Sequence, residues 1–105
     1  MTEVRVVLIT APRGDVALRI AHALIDNHLA ACVNVVPGIT SVYRWEGKVC
    51  EEGEDLLIAK TTVERVDALI GHVRSIHPYT VPEVIALPVE GGSETYLRWV
   101  EGEVR

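Results

Sequence analysis

The sequence predicts an α+β fold in which a four-stranded antiparallel sheet carries two helices on one face. Three observations predict it. Apolar, β-rich runs and segments with helical spacing follow one another in the order strand, helix, strand, strand, helix, strand. The two middle strands are long and are joined by a tight turn. A further segment with helical spacing is appended after the last strand.

The longest predicted element is a hairpin over residues 31–61. Its first arm is rich in β-branched and aromatic residues, the turn is Glu46-Gly47-Lys48, and the second arm begins polar and ends apolar. A straight strand from Ala31 to Trp45 would span roughly 50 Å at about 3.3 Å per residue. A domain of this size is only roughly 33 Å across. We therefore expect Pro37-Gly38 to bend or bulge the first arm, or the tip to project beyond its own domain.

A projecting tip would carry Val42, Tyr43 and Trp45. A monomer rarely tolerates apolar surface of that kind in contact with water. We therefore expect the protein to self-associate, with these three residues in the interface.

The first predicted strand and helix precede the hairpin. Val4 to Thr10 is a nearly continuous apolar run, which suits a strand in the middle of a sheet. After a break, Asp15 is predicted to cap a helix. The buried stripe of this helix is predicted to comprise Ala17, Ile20, Ala21, Leu24 and Ile25.

The second half of the chain repeats the helix and strand and adds a last helix. Thr61-Thr62-Val63-Glu64 matches a capping box, and Pro78 ends the helix that follows. A short strand is predicted over residues 84–87, and Ser93 is predicted to cap the appended helix. The predicted buried face of the second helix is Val66, Leu69, Ile70, Val73 and Ile76.

These elements together predict one ferredoxin-like domain over residues 1–105. The appended helix, which carries Tyr96, Leu97, Trp99 and Val100, covers only part of the sheet face opposite the two helices. The rest of that face, with the sheet edges, is the expected place for other copies to pack.

Composition and charge exclude several classes of partner. Ten Lys+Arg against fifteen Asp+Glu give a formal charge of -5 without any basic run, which argues against a nucleic-acid partner. No apolar segment has the length of a membrane span, and Glu3 and Arg5 do not suit a signal peptide. We therefore expect a cytoplasmic protein without a membrane partner, in which Cys32 and Cys50 are thiols.

The spacing of residues gives no catalytic, nucleotide-binding or metal signature, so isolated residues carry the candidate chemistry. Cys32 is either a soft ligand suited to copper(I) or a small buried hydrophobe. His77 either satisfies the last carbonyls of the second helix or acts as a neutral imidazole ligand or proton carrier. Lys60 and Glu83 end apolar strands, and they form either a structural ion pair or a site for an anion or small ligand.

The aromatic residues also have two interpretations. Tyr43, Trp45, Tyr96 and Trp99 are either interface and core residues, or they line a ligand cleft between copies.

Short motifs spread over the chain from about Val6 to Trp99 resemble, in the same order, the CutA divalent-cation tolerance family. They are Ala31-Cys32-Val33-Asn34-Val35, Pro37-Gly38-Ile39, Ser41-Val42-Tyr43-Arg44-Trp45, Gly47-Lys48, Lys60-Thr61, His77-Pro78-Tyr79, Val81-Pro82-Glu83 and Tyr96-Leu97-Arg98-Trp99.

The resemblance implies a ferredoxin-like fold and a tight homotrimer in which the hairpins wrap neighbouring subunits, similar in architecture to PII-type signalling proteins. It also implies a link to the tolerance of divalent metals, copper especially, and the binding of copper. We expect no organic cofactor. Carried over by position, the resemblance implies Cys32 and His77 as metal ligands. It implies cleft residues Trp45, Lys60, Tyr79 and Glu83. Ala11 and Ser75 stand in regions where some members of the family have cysteine, which weakens a multi-cysteine copper site.

Three hypotheses of function follow. The first is a trimeric binding protein that takes a small ligand or a metal at its clefts, with Cys32, His77 and Glu83 as soft, borderline and hard ligands. The second is a PII-like scaffold that acts through a protein partner, with Gly91-Gly92 near the contacted loop. The third is an enzyme with Lys60 and Glu83 as an acid–base pair. We place it last because the sequence shows no nucleophile with its base and orienting group.

Overall fold

The computed structural model describes residues 1–105, which form one four-stranded sheet and three α-helices. The strands are β1 Val4–Pro12, β2 Cys32–Trp45, β3 Lys48–Thr62 and β4 Val84–Pro88, and the helices are α1 Val16–Asp26, α2 Val66–Ile76 and α3 Glu94–Glu103. All neighbouring strands are antiparallel, in the order β2-β3-β1-β4. The predicted fold class and order of elements are therefore confirmed.

The main core lies between the sheet and the helices α1 and α2. Residues alternate in direction along β1 and β3, so that Val7, Ile9, Leu57 and Ala59 all point toward the helices and are fully buried. From α1, the predicted stripe is buried except for Ile25, which is 39% exposed. Ile25 lies about 80° around the helix axis from Ala17, so it falls on the flank of the stripe.

The capping box predicted at the start of α2 does not form. Thr61 and Thr62 belong to β3, and the Thr61 hydroxyl instead donates to the carbonyl of Leu29 at 2.6 Å. A 3-10 turn over Val63–Arg65 then leads into α2, where no side chain caps the backbone. Sheet pairing with β1 continues to the Val4–Thr62 pair, so the strand takes the residues that the motif assigned to the helix.

The helix ends differ from the prediction in other respects too. Asp15 and Ser93 occupy the positions before α1 and α3, but neither makes a capping hydrogen bond. Asp15 instead pairs with Arg19 at 3.7 Å. In α2 only Leu69 and Val73 of the predicted face are buried, whereas Val66 and Ile70 are half-buried and Ile76 is exposed at the end of the helix.

The hairpin both bends and projects, as its length predicts. The pairing of β2 with β3 shifts register between Val36 and Ile39, where Gly38 takes the left-handed backbone angle φ +78°. Pairing of β3 with β1 ends at the Pro12–Glu54 pair, so the rest of the hairpin continues as a two-stranded ribbon. The resulting molecule measures 44 × 26 × 22 Å.

The tip of this ribbon is a two-residue turn. Trp45 pairs with Lys48, so that Glu46 and Gly47 alone form the turn, with φ of 50° and 77°. Two successive positive φ angles are typical of the type I′ turn that matches the twist of a hairpin.

The sheet face opposite α1 and α2 is only partly covered. At one end Val100 of α3 and Val104, the residue after it, pack over Val4. Farther along, Ile85 and Leu87 of β4 are 50% and 45% exposed. We call the uncovered part of the sheet, formed by Val6, Leu8, Leu56, Ile58, Ile85 and Leu87, the open face.

None of the three helices is long and apolar enough to cross a membrane.

Candidate functional site

A groove of about 710 Å³ lies where the base of the ribbon meets the loop between α2 and β4. A volume of this size is in the range of small-molecule sites in proteins. Its lining residues are Thr10, Ser41, Val42, Tyr43, Trp45, Cys50, Glu52, Glu54, Pro78, Tyr79, Thr80, Val81 and Glu83.

Strand geometry explains which side chains reach the groove from the hairpin. Cys50, Glu52 and Glu54 alternate along β3 and therefore share one face. Tyr43 stands opposite Cys50 on β2 and adds its ring to that face. α2 ends at Ile76, and Pro78 then turns the chain so that Tyr79 lies on the opposite wall of the groove.

Glu54 and Tyr79 join the two walls. The Tyr79 hydroxyl donates to Oε2 of Glu54 at 2.9 Å. Glu54 is only 7% exposed. The pKa of Tyr79 lies well above its usual value. Burial of the phenol is the largest cause, and the hydrogen bond to the Glu54 carboxylate is the second. The phenol therefore stays a protonated donor at physiological pH.

A second tyrosine–glutamate pair lies nearer the tip. The Tyr43 hydroxyl donates to Oε1 of Glu52 across the ribbon. This hydrogen bond is the main cause that raises the pKa of Tyr43 to about 12. Two of the three carboxylates that line the groove, Glu52 and Glu54, thus each accept a hydrogen bond from a phenol.

His77 is buried behind the groove and holds Tyr79 in place. Its Nε2 donates to the carbonyl of Thr10 at 2.8 Å, and its Nδ1 accepts the backbone N–H of Tyr79 at 3.1 Å. Since one nitrogen donates and the other accepts, the ring is the neutral tautomer protonated at Nε2. Both nitrogens are in use, so His77 could bind a metal only by releasing one of these bonds.

Lys60 lies apart from the groove, beside Cys32. These two residues are paired across β2 and β3, with Nζ 3.9 Å from Sγ, and Lys60 also donates to the side chain of Asn34. Tyr96 of α3 completes this group: burial, and then the nearby thiol of Cys32, raise its pKa.

The predicted pairing of Lys60 with Glu83 does not occur. Lys60 on β3 faces Val6 of β1, whereas Glu83 precedes Val84, which faces Ile9. The strand β1 lies between the two, and the offset along it is about 10 Å. The sequence shows that both residues lie at the ends of apolar strands. It does not show the strand order, in which β1 lies between β3 and β4.

The three predicted metal ligands also do not meet within one chain. Cys32 pairs with Lys60, level with Val6, while His77 is bound to Thr10, about 13 Å farther along β1. No group of three His, Cys, Asp or Glu residues in the chain could hold a metal ion. The donor set of one chain therefore does not fit a metal, and such a site would need more than one subunit.

The remaining predicted cleft residues do converge, and two carboxylates join them. Trp45, Tyr79 and Glu83 all line the groove. From the sequence alone, Glu52 and Glu54 belong only to the polar beginning of the second hairpin arm. Their alternation with Cys50 on one strand face is the signal that could have placed them together.

Comparison with known proteins identifies close relatives. The family model described as "CutA1 divalent ion tolerance protein" matches residues 5–103. The divalent-cation tolerance protein CutA of Thermus thermophilus is 54% identical over 95 residues, which are 90% of this chain and 92% of the relative. A solved structure of the divalent cation tolerance protein from Thermus thermophilus superimposes with a TM-score of 0.95 at 50% identity, covering 97% of this chain and 99% of that one.

Two further relatives correct the expected location. Protein CutA 1 of Oryza sativa, described as chloroplastic, is 52% identical over 100 residues, which are 95% of this chain but 56% of the relative. The Archaeoglobus fulgidus structure, described as the periplasmic divalent cation tolerance protein CutA, matches at 37% identity with a TM-score of 0.93, over 97% of this chain and 99% of that one. The prediction of a cytoplasmic location is therefore wrong as a deduction from this sequence, because close relatives are described in other compartments.

Proposed function

The chain belongs to the CutA1 divalent ion tolerance family, and we propose that it serves divalent-cation tolerance as a homotrimer that binds its ligand in clefts between subunits. Each subunit would be a single domain over residues 1–105. The observation that carries this proposal is that a groove with converging aromatic and carboxylate groups lies next to apolar surface that one chain leaves uncovered.

The uncovered surface supports self-association. At the ribbon, Val42, Tyr43 and Trp45 are 64%, 39% and 47% exposed. A two-stranded ribbon is at best marginally stable alone in water. The open face and the free edges of β2 and β4 add further surface for another copy.

The groove supports ligand binding at the same place. Trp45, Tyr79 and Glu83 line it, while Lys60 lies at the other end of the sheet and would reach it only from a second copy. Copper or another divalent metal bound by Cys32, His77 and Glu83 would likewise draw its donors from different subunits. We propose binding without catalysis, since Glu52 and Glu54 accept hydrogen bonds from tyrosines, and the thiol of Cys50 in the groove is hydrogen-bonded to the Lys48 carbonyl and not to a base.

The test of assembly is Trp45→Glu, with Leu18→Glu on α1 as the matched control, because Leu18 is also an exposed apolar side chain but lies in the helix layer, away from the ribbon and the open face. A carboxylate buried without a partner in an interface costs several kcal/mol. Light scattering should therefore show a trimer for the wild type and the control, and dissociation for Trp45→Glu. A Trp45→Glu protein that stays trimeric with unchanged melting would remove Trp45 from the interface.

The test of binding is calorimetric titration of the assembled protein with copper(I), copper(II) and zinc(II). The variant Cys32→Ser/His77→Ala is compared with Cys50→Ser, which removes the other thiol. Stoichiometric metal binding that only the double variant loses would support a direct role in metal tolerance. Weak binding that neither variant changes would instead favour the second candidate, a PII-like trimer that acts through a protein partner.

A further inference from the structure

The charge of the groove is one-sided. Its lining includes the carboxylates of Glu52, Glu54 and Glu83, and it includes no Lys or Arg. The only ion pairs in the chain, Asp15–Arg19 and Glu94–Arg98, lie elsewhere on exposed helix surfaces. Three negative groups therefore face one cavity without a cation from this chain.

Glu54 is the most unusual of the three. It is more than nine-tenths buried, and no Lys, Arg or His nitrogen lies within 4 Å of its carboxylate. Oε2 accepts from Tyr79, whereas Oε1 has no hydrogen-bond donor from the chain and is not sealed from solvent. A mostly buried carboxylate without a cation is unfavourable, and the accessible oxygen of this groove-lining residue can accept from a donor that enters the groove.

The other walls of the groove indicate which kind of cation fits. Tyr43, Trp45 and Tyr79 supply aromatic rings, which attract organic cations through their faces. A bare metal ion is matched less well, because two of the three carboxylates already accept hydrogen bonds from phenols, and no three His, Cys, Asp or Glu side chains lie close enough together to hold a metal ion. A volume of about 710 Å³ has room for a molecule with an apolar body.

We propose that this groove binds a small organic cation, a primary ammonium attached to an apolar body. The ammonium donates to Oε1 of Glu54, and the body packs against Trp45 and Tyr79. The inference rests on the proposed function, in which the groove is a ligand site, and adds the chemical class of the ligand.

The test uses two probes that differ mainly in charge, 2-phenylethylammonium and the neutral 2-phenylethanol, titrated calorimetrically into the assembled protein at neutral pH. We expect the ammonium to bind about tenfold or more tightly than the alcohol. Glu54→Gln should remove most of that difference, because the amide still accepts from Tyr79 but no longer carries a charge. The matched control is Glu51→Gln, which removes the same charge from an exposed neighbour outside the groove and should change nothing.

Melting and light scattering accompany each titration, and Glu83→Gln serves as a second variant if Glu54→Gln does not fold. Glu83 lines the groove and is more exposed than Glu54, so the Glu83→Gln protein should fold. Loss of this charge should weaken ammonium binding severalfold. Equal binding of ammonium and alcohol would overturn the cationic class and leave the groove as a ligand site. Zinc(II) binding lost in Glu54→Gln, without ammonium binding, would overturn the inference and leave the proposed function intact. Binding of neither probe nor any metal would overturn both.

Discussion

Tyr79 donates its hydroxyl to the Glu54 carboxylate at 2.9 Å, at the level where β3 loses its last pairing with β1. Behind it, His77 accepts the Tyr79 backbone N–H and donates to the Thr10 carbonyl. A continuous series of hydrogen bonds therefore runs from β1 through the loop after α2 to β3. It fixes the groove wall to the base of the ribbon without any ion pair.

Removing the hydroxyl in Tyr79→Phe should lower the free energy of unfolding by about 1.5–3 kcal/mol, the usual range for a hydrogen bond to a charged group. The matched control is Tyr43→Phe, whose hydroxyl bonds to Glu52 on the more exposed ribbon. We expect that control to stay close to wild type, because water replaces the lost partner at an exposed site. Urea unfolding at one fixed protein concentration measures both, because assembly makes stability depend on concentration. Equal losses in the two variants would show that the Tyr79–Glu54 bond has no special structural role.

The same two tyrosines predict how stability depends on pH. Their folded-state pKa values lie above the ordinary value of 10.0, with Tyr43 at about 12 and Tyr79 also raised. A group with a raised pKa binds its proton more tightly in the folded protein, so its stabilising contribution is complete below about pH 10. That contribution is lost as the pH rises from there through the folded-state pKa. Stability should therefore fall above about pH 10, and less steeply in Tyr79→Phe.

A spectrophotometric titration of tyrosinate provides the direct check. Of the three tyrosines, all have a raised pKa. Folded wild-type protein should therefore show little tyrosinate at pH values where the unfolded chain is already ionised. Normal ionisation of all three tyrosines in the folded protein would contradict the hydrogen bonds to Glu52 and Glu54.

The sequence predicted the fold well where one signal dominated. The apolar run at Val4, the helical spacing in α1 and the length of the hairpin each pointed to the element that forms. It failed where two interpretations competed for the same residues. Thr61 and Thr62 match a capping box locally, but pairing with β1 extends β3 through both of them. Tertiary pairing therefore outweighed the local motif.

Prediction of the site had a similar limit. Trp45, Tyr79 and Glu83, which the resemblance implies as residues of a cleft between subunits, line one groove within the chain, and its place in an assembled cleft stays a prediction. Lys60 was assigned to the same cleft, although β1 separates its strand from that of Glu83 and the two residues are offset along the sheet. Such distances depend on strand order and register, which local spacing does not contain. Burial of Glu54 likewise depends on the loop that folds over it.

Two glycines should respond to the same substitution with opposite signs. Gly38 has φ +78° at the bulge of β2, and its N–H donates to Oδ1 of Asp55 at 3.1 Å. Gly38→Ala should cost about 1–2 kcal/mol, because an L-residue is strained in the left-handed region. Gly71 is inside α2, and an added Cβ there meets nothing within 4 Å. Gly71→Ala should therefore stabilise by about 0.5–1 kcal/mol.

Thermal or urea unfolding of the two alanine variants compares them directly with wild type. Stabilisation by Gly38→Ala would mean that the bulge relaxes in the assembled protein. Destabilisation by Gly71→Ala would mean that the helix surface at that position is covered by another copy. Each outcome thus reports on a different surface of the chain.

Thr61 provides a test of the buried polar contact that replaced the predicted cap. Its side chain is fully buried, and its hydroxyl donates to the Leu29 carbonyl in the turn between α1 and β2. Thr61→Val keeps the shape of the side chain but leaves that carbonyl without its donor, which should cost about 1–3 kcal/mol. Thr62→Val is the matched control, because the Thr62 hydroxyl is half-buried and makes no capping hydrogen bond. Denaturant unfolding should separate the two variants, whereas equal stabilities would show that water satisfies Leu29 and that the hydroxyl has no structural role.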